Sequence, residues 1–259
     1  LGKATSAFIV APLSEAIGWE VVLSGFGGAS LLSTLTWLSL GKAQRIHRDN
    51  ETRPLIALVW NVLCTRTTLL VVLADAGPLT LLAASLAWLP TLYHEVHEIS
   101  LTDAGVYMGV LSLAGLVALV LASLLTARTR KRRPFLIIPG IVTGFAGVAV
   151  LLLPDSVALY IALAFLGFAC WFYLPALLTI PMDMYPNNPR RVSLVSATLM
   201  SIGGIASSVA PPTVGAIADL TGSFVPGLAA CAVLGWTLAI AGVLMPPTPT
   251  TGTARDTSR

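Results

Sequence analysis

A carboxylic acid stands in the middle of an oily stretch. Residues 67–90 read TTLLVVLADAGPLTLLAASLAWLP, with Asp75 inside and Gly77-Pro78 just behind it. Asp75 lies eight residues after Thr67 and thirteen before Trp88, so a helix rising about 1.5 Å per residue would carry it well into hydrocarbon. An ionised side chain there costs about 2.5–3.5 kcal/mol. It must therefore face water or the protein interior, find a partner, or carry a proton. Two readings follow. Asp75 is a proton-coupling or cation-binding group, or it is a structural group bonded to a neighbouring helix or paired with Arg66. Gly77-Pro78 frees backbone carbonyls beside it, which suits a bent or gating helix.

Other residues could serve the same chemistry. Lys3 is the one basic residue outside the basic connections described below. Its ammonium could attract an anion or pair with Asp75, or it could snorkel to a membrane edge. CWFYLP places Trp171, Phe172 and Tyr173 in the middle of another apolar stretch. Successive residues point about 100° apart, so one or two of these rings should face a cavity while the rest pack. Tyr173 also offers a hydroxyl. SATLMSIGGIASSVAPP, residues 196–212, carries small residues at four-residue spacing, Gly203 with Ser207 and Gly204 with Ser208. Small faces let helices approach closely, and Ser207 and Ser208 are candidate ligands as well. Cys64, Cys170 and Cys231 have no metal spacing and read as small core residues.

The elements that hold these residues follow from composition. The chain has 259 residues, 56% hydrophobic and only 10% charged, and its mean hydropathy is +0.85. A soluble domain carries about 25% charged residues, so this chain cannot make a polar shell. It reads as an all-α polytopic membrane protein. Whole spans are expected at 21–40, 67–92, 104–127, 135–153, 156–180, 192–217 and 224–245, with part of one more before Gly18. They are too uniformly apolar for barrel strands, which alternate.

Basic residues sort the connections. Lys42, Arg45, Arg48, Arg53 and Arg66 mark one, and Arg128, Arg130, Lys131, Arg132 and Arg133 fill another. Arg190 and Arg191 lie in a third, and Arg255 and Arg259 in the tail. The intervening connections hold acids instead: Glu15, Glu20, Glu95, Glu98, Asp103, Asp155 and Asp219. The basic side is expected to be cytoplasmic. RTRKRRP, from Arg128 to Pro134, reads as a cytoplasmic stop between helices, or else as a lipid-head-group patch. The net charge of +3 is then a topology signal, with no nucleic-acid partner implied. Trp88 and Tyr93 suit the outer interfacial belt. His94 and His97 fall in an acidic outer loop, as solvated residues or pH sensors.

Local signals agree. SLTD, residues 100–103, is a helix capping sequence, Pro134 suits a first helical position, and YPNNPRR, residues 185–191, makes a polar turn. An internal echo relates the two ends. With Gly18 registered on Gly222, Glu15 falls on Asp219, Ala11 on Gly215 and Lys3 on Ser207. A transporter built from two similar halves would show such an echo.

SEAIGWE before a span, AWLPTLYHEVHEISLTDAGVYMGVLSLAG, SLLTARTRKRRP and APPTVGAIADLTGSF together resemble the major facilitator superfamily of secondary transporters. The resemblance implies twelve helices in two six-helix halves around a central cavity, with this chain running from mid-helix five through helix twelve. It divides the chain into the end of the N-terminal half (1–40), a cytoplasmic linker (41–66), the C-terminal half (67–245) and a disordered cytoplasmic tail (246–259). WLP and LTDAG resemble the branch of cyanate-type and small-anion carriers. Helices five, seven, eight, ten and eleven line the family's cavity, which would hold Lys3, Asp75, Trp171, Tyr173, Ser207 and Ser208. The family's loop motif is degraded here: Ser123, Ala127 and Arg130 replace a Gly, the Asp and another Gly, while Arg128 remains.

The implied function is secondary active transport of a small solute, an organic or inorganic anion, across the cytoplasmic membrane by alternating access. The coupling ion would be a proton, the working unit a monomer in membrane lipid, and no cofactor or metal is expected. Efflux of drugs or metabolites on the same fold is the alternative. From a different class come a channel and a non-transporting receptor. An intramembrane enzyme is disfavoured, since HExxH, GxSxG and paired membrane acids are all missing from the sequence.

Overall fold

The computed structural model describes residues 13, 17–40, 64–129, 132–154 and 156–245. Lys3, Arg130, Lys131, the linker over 41–63, the tail and most of the partial first span lie outside them. The described residues form helices and their connections, with no strand among them. Seven helical stretches are long and apolar enough to cross a membrane, matching the seven whole spans expected. The chain divides into two compact units, Leu1–Leu55 and Ile56–Arg259.

In the first unit, α1 spans Trp19–Leu40. Gly18 precedes it at φ +84°, and Gly222 in the second unit lies at φ +74°. These are the two glycines that the sequence echo registers on each other, and they are the positive-φ glycines of the described residues. Only glycine enters that region without strain. Within α1 the hydroxyls of Ser24, Ser33, Thr34 and Thr36 donate to carbonyls one turn back. Each of these hydroxyls is thus satisfied inside its own helix, as hydrocarbon requires.

The second unit contains α2 (Arg66–His97), α3 (Leu101–Arg128), α4 (Pro134–Leu152), α5 (Val157–Phe172), α6 (Leu174–Met184), α7 (Pro189–Thr221), α8 (Val225–Gly235) and α9 (Thr237–Leu244). Two spans are broken in the middle. The α5–α6 span turns at Tyr173, because Pro175 cannot donate to the Trp171 carbonyl four residues back. The α8–α9 span turns at Trp236, whose N–H bonds the carbonyls of Val233 and Leu234. Helix α2 packs along α7, α3 along α5, and α4 against α5, α8 and α9.

The expected caps form. Ser100 Oγ accepts from the Asp103 N–H at 3.1 Å and donates to the Asp103 carboxylate at 2.6 Å. Pro134 opens α4. Within the turn expected at 185–191, Asn188 also caps α7, a role not expected from the sequence, by accepting from the Arg191 N–H at 3.1 Å.

Three expectations about the end of α2 need correction. The helix runs past residue 92 to His97 and stops at Glu98, in left-handed conformation with φ +54°. His94 and His97 therefore lie on the helix and not in a loop, and His94 Nδ1 is 2.9 Å from the Ile99 carbonyl. Tyr93 is not in an interfacial belt. It is 0% exposed, donates to the Val150 carbonyl at 2.9 Å and meets Tyr107 edge-on at 5.4 Å. The sequence showed that Tyr93 lay near a membrane edge, but not which way it turned. Trp88 is partly buried and donates to the Pro211 carbonyl at 2.7 Å while stacking on Phe224.

Helix spacing rests on glycines at backbone crossings. A side chain on Gly167 of α5 would run into the Leu111 backbone carbonyl of α3. Gly204 of α7 has open space in front of it. Gly167→Ala should therefore cost about 1–3 kcal/mol through forced helix separation. Gly204→Ala should cost nothing and can gain a few tenths of a kcal/mol. Paired thermal melts in detergent check this, and equal melting temperatures for the two variants would remove the close crossing.

Candidate functional site

Asp75 sits in the third turn of α2, nine residues from its start. It is 0% exposed, although it lies in a helix with many lipid-facing residues. One carboxyl oxygen has a partner: the Tyr173 hydroxyl donates to Oδ1 at 3.0 Å. The other, Oδ2, is buried with no hydrogen-bond partner. It lies against Gly203 of α7, where any side chain would collide with it. The Arg66 pairing expected as one alternative is not formed. The sole salt bridge among the described residues joins Arg132 and Asp183.

Three elements make this arrangement. The turn at Tyr173, set by Pro175, points a fully buried phenol at α2. The missing Cβ of Gly203 lets α7 close over the carboxyl. Helix α2 carries Asp75 between them. Asp75 and Tyr173 were singled out separately in the sequence, and the structure brings them together. Gly203 was noted there only as part of a small-residue stripe. No pattern in one sequence pairs a glycine with an acid 128 positions away.

The remaining candidates lie apart. Trp171 is half-buried with its indole against Gly115 of α3. The hydroxyls of Ser207 and Ser208 both donate to the Gly204 carbonyl, at 2.9 and 2.8 Å. That leaves their lone pairs available while tying their donors to the helix. Ser208 is exposed and Ser207 half-buried. Helix α2 continues through Gly77 and Pro78. Gly77 marks the tight crossing with the α8–α9 turn, where a side chain would strike Thr237 and the Leu234 carbonyl. Thr237 Oγ1 reaches the Leu73 carbonyl at 3.0 Å, one turn before Gly77. The Pro78 carbonyl lies 3.9 Å from Cys170 Sγ, which points its thiol toward it.

The basic connection does more than mark an edge. Arg132 Nε bonds Asp183 at 3.0 Å, and its Nη1 donates to the carbonyls of Thr126 and Thr129, both at 3.0 Å. Arg133 Nε donates to the Met245 carbonyl at 2.8 Å. These two arginines clamp the α3–α4 connection to the ends of α6 and α9. Arg128, at the end of α3, is exposed.

A bundle of membrane-spanning helices around a buried acid defines a polytopic membrane protein, and comparison with known families names it further. Residues 1–211 match the family model described as "Major Facilitator Superfamily", and the chain belongs to that family. It is also similar to a Thauera aromatica protein named "Putative anionic 4-hydroxy-benzoate permease", 33% identical over 63 residues. That match covers 24% of this chain and 38% of the permease, so well under two thirds of the relative is represented. The family membership and the seven spanning stretches agree on a multi-pass membrane protein.

The Asp75–Tyr173 bond carries a direct expectation. Tyr173→Phe leaves both carboxyl oxygens unpartnered and should cost about 1–3 kcal/mol of stability. Asp75→Leu combined with Tyr173→Phe should cost less than the sum of the two single changes, because the pair acts as a unit. Melting temperatures in detergent provide the cycle, and strict additivity would show that the bond does not form.

Proposed function

We propose that the protein is a proton-coupled secondary carrier for a small organic anion, working by alternating access across the cytoplasmic membrane with its basic connections inside. The observation that carries this reading is the half-satisfied carboxyl of Asp75, deep in a span and closed off by Tyr173 and Gly203. A buried anion with one bare oxygen and no cation paired to it is costly. A proton on Oδ2 removes the charge, the larger part of that cost, and leaves Oδ1 free to accept from Tyr173. The arrangement thus suits the neutral acid. Parting of α2 and α7 at Gly203 would let water reach Oδ2 and the proton leave. Proton occupancy and helix position are then linked, as coupling requires.

The anion part of the reading draws on the name of the Thauera aromatica relative and on the resemblance of WLP and LTDAG to small-anion carriers. An aromatic carboxylate of the 4-hydroxybenzoate kind would need a cation and a flat apolar surface. Lys3, the cation the sequence offers, lies outside the described residues. In the second unit Trp171 offers a ring, and Ser207 and Ser208 offer hydroxyl lone pairs. Trp171 lies on the same span as Tyr173, the partner of Asp75 Oδ1. Gly77 and Pro78 supply the point of flexure in α2.

Uptake of radiolabelled 4-hydroxybenzoate into cells expressing the full-length protein tests the proposal, with and without an imposed pH gradient. Accumulation should be saturable and require the gradient. Asp75→Asn should reduce accumulation at least tenfold while sparing counterflow exchange. Unchanged accumulation in that variant would take Asp75 out of the coupling, and gradient-independent, unsaturable flux would replace the carrier with a channel.

A further inference from the structure

A second feature lies away from Asp75. An apolar groove of about 380 Å³ opens between α3, α4 and α5, with Leu125, Phe135, Ile138, Phe165, Phe168 and Phe172 among its walls. Phe135 and Phe172 stack at 5.6 Å, and Phe168 and Phe172 at 5.0 Å, so part of the wall is a continuous aromatic sheet. Ile138 and Phe165 are more than half exposed. These residues lie within segments long and apolar enough to cross a membrane. The groove therefore opens within the part of the protein suited to hydrocarbon.

The mouth of the groove says which hydrocarbon. Leu125 and Pro134 lie at its basic end. Arg128 follows Leu125 by three residues on α3, which sets it one turn farther along the same face. Groups that would repel a phosphate there are already neutralised. Asp183 is held by Arg132 at 3.0 Å, and the same arginine covers the carbonyls of Thr126 and Thr129 at the end of α3. The N-terminus of α4, opening at Pro134, adds the positive end of a helix dipole. Arg132 and Arg133 spend their donors on the protein, whereas Arg128 is exposed and among the described residues has no bonded partner.

We propose that this groove binds an anionic phospholipid of the surrounding leaflet, with one acyl chain along the phenylalanine wall and the phosphate on Arg128. The site is separate from the Asp75 carboxyl and does not depend on the transport reading. A basic pocket between spans is a recognised form of lipid site. Here the apolar groove fixes where the chain lies, and Arg128 selects the head group. Arg132 acts as a positioning residue by keeping Asp183 and the carbonyl ends from opposing the phosphate.

Native mass spectrometry of the full-length protein in detergent tests this, using palmitoyl-oleoyl phosphatidylglycerol and phosphatidylcholine as probes. The wild type should retain phosphatidylglycerol about fivefold over phosphatidylcholine, the preference expected of one basic side chain near the head group. Arg128→Gln should bring the two lipids to parity, and Arg128→Lys should keep the preference. Ile138→Trp, a change at an exposed wall position, should reduce retention of both lipids. Equal retention by the wild type would overturn the proposal, as would a preference that survives Arg128→Gln or lipid counts unmoved by Ile138→Trp. A dimer in the wild type that Ile138→Trp dissolves would also overturn it, since the groove would then belong to a second copy of the chain.

Discussion

In hydrocarbon no water is available to complete a hydrogen bond, so each polar group must find its partner inside the bundle. The structure is organised by that constraint. Helix ends show it most plainly. Val150 would ordinarily accept from residue 154, but residue 154 is proline and has no N–H. The Tyr93 hydroxyl takes the vacant carbonyl instead. Met245 ends α9 and receives Arg133, while Thr126 and Thr129 end α3 and receive Arg132. A side chain from one helix repeatedly closes the open end of another. Such bonds fix which helices are neighbours, because apolar faces alone have little preference in lipid.

The same rule makes Asp75 conspicuous. Its surroundings satisfy half of a carboxylate and leave the other half bare. A purely structural acid in lipid would gain from a second donor, and small changes nearby could supply one. Position 203 itself cannot supply one, because the glycine hydrogen is all that fits beneath Oδ2. The contact between α2 and α7 is close because the carboxyl occupies the space a side chain would need. The close packing of α2 on α7 and the bare carboxyl oxygen therefore meet at one point.

Much of this fold was legible because hydropathy records it directly. Seven apolar runs became seven spanning stretches, and the Ser100 and Pro134 signals became helix starts. The echo between Gly18 and Gly222 could be read because positive φ leaves a demand for glycine that sequence preserves. What hydropathy does not encode is direction around the helix axis. These helices are apolar on all sides, so no polar stripe marks the outward face. Tyr93 was accordingly placed outward when it points in. The Arg132–Asp183 bond was missed for a related reason, since both residues look like ordinary solvated charges at a membrane edge. The Asp75 alternatives stayed open because Tyr173 lies 98 residues away, and only the fold brings it near.

The enclosure of Asp75 narrows how it can act. Its carboxyl is covered by helices of its own unit, so a solute could not touch it without first displacing one of them. Influence on a solute must then pass through helix position. In the proposed carrier, helix α7 would provide that link, since Gly203 and Gly204 are adjacent and face different ways. Gly203 meets the carboxyl, whereas Gly204 looks into open space and its carbonyl anchors Ser207 and Ser208. A shift of α7 large enough to uncover Oδ2 would carry both serines with it, because a helix moves as a rigid rod over one turn. One face of α7 would sense the proton while the other repositions hydroxyls. That division of labour needs no chain of contacts between the two faces, only a stiff helix and an acid that changes its fit on one side.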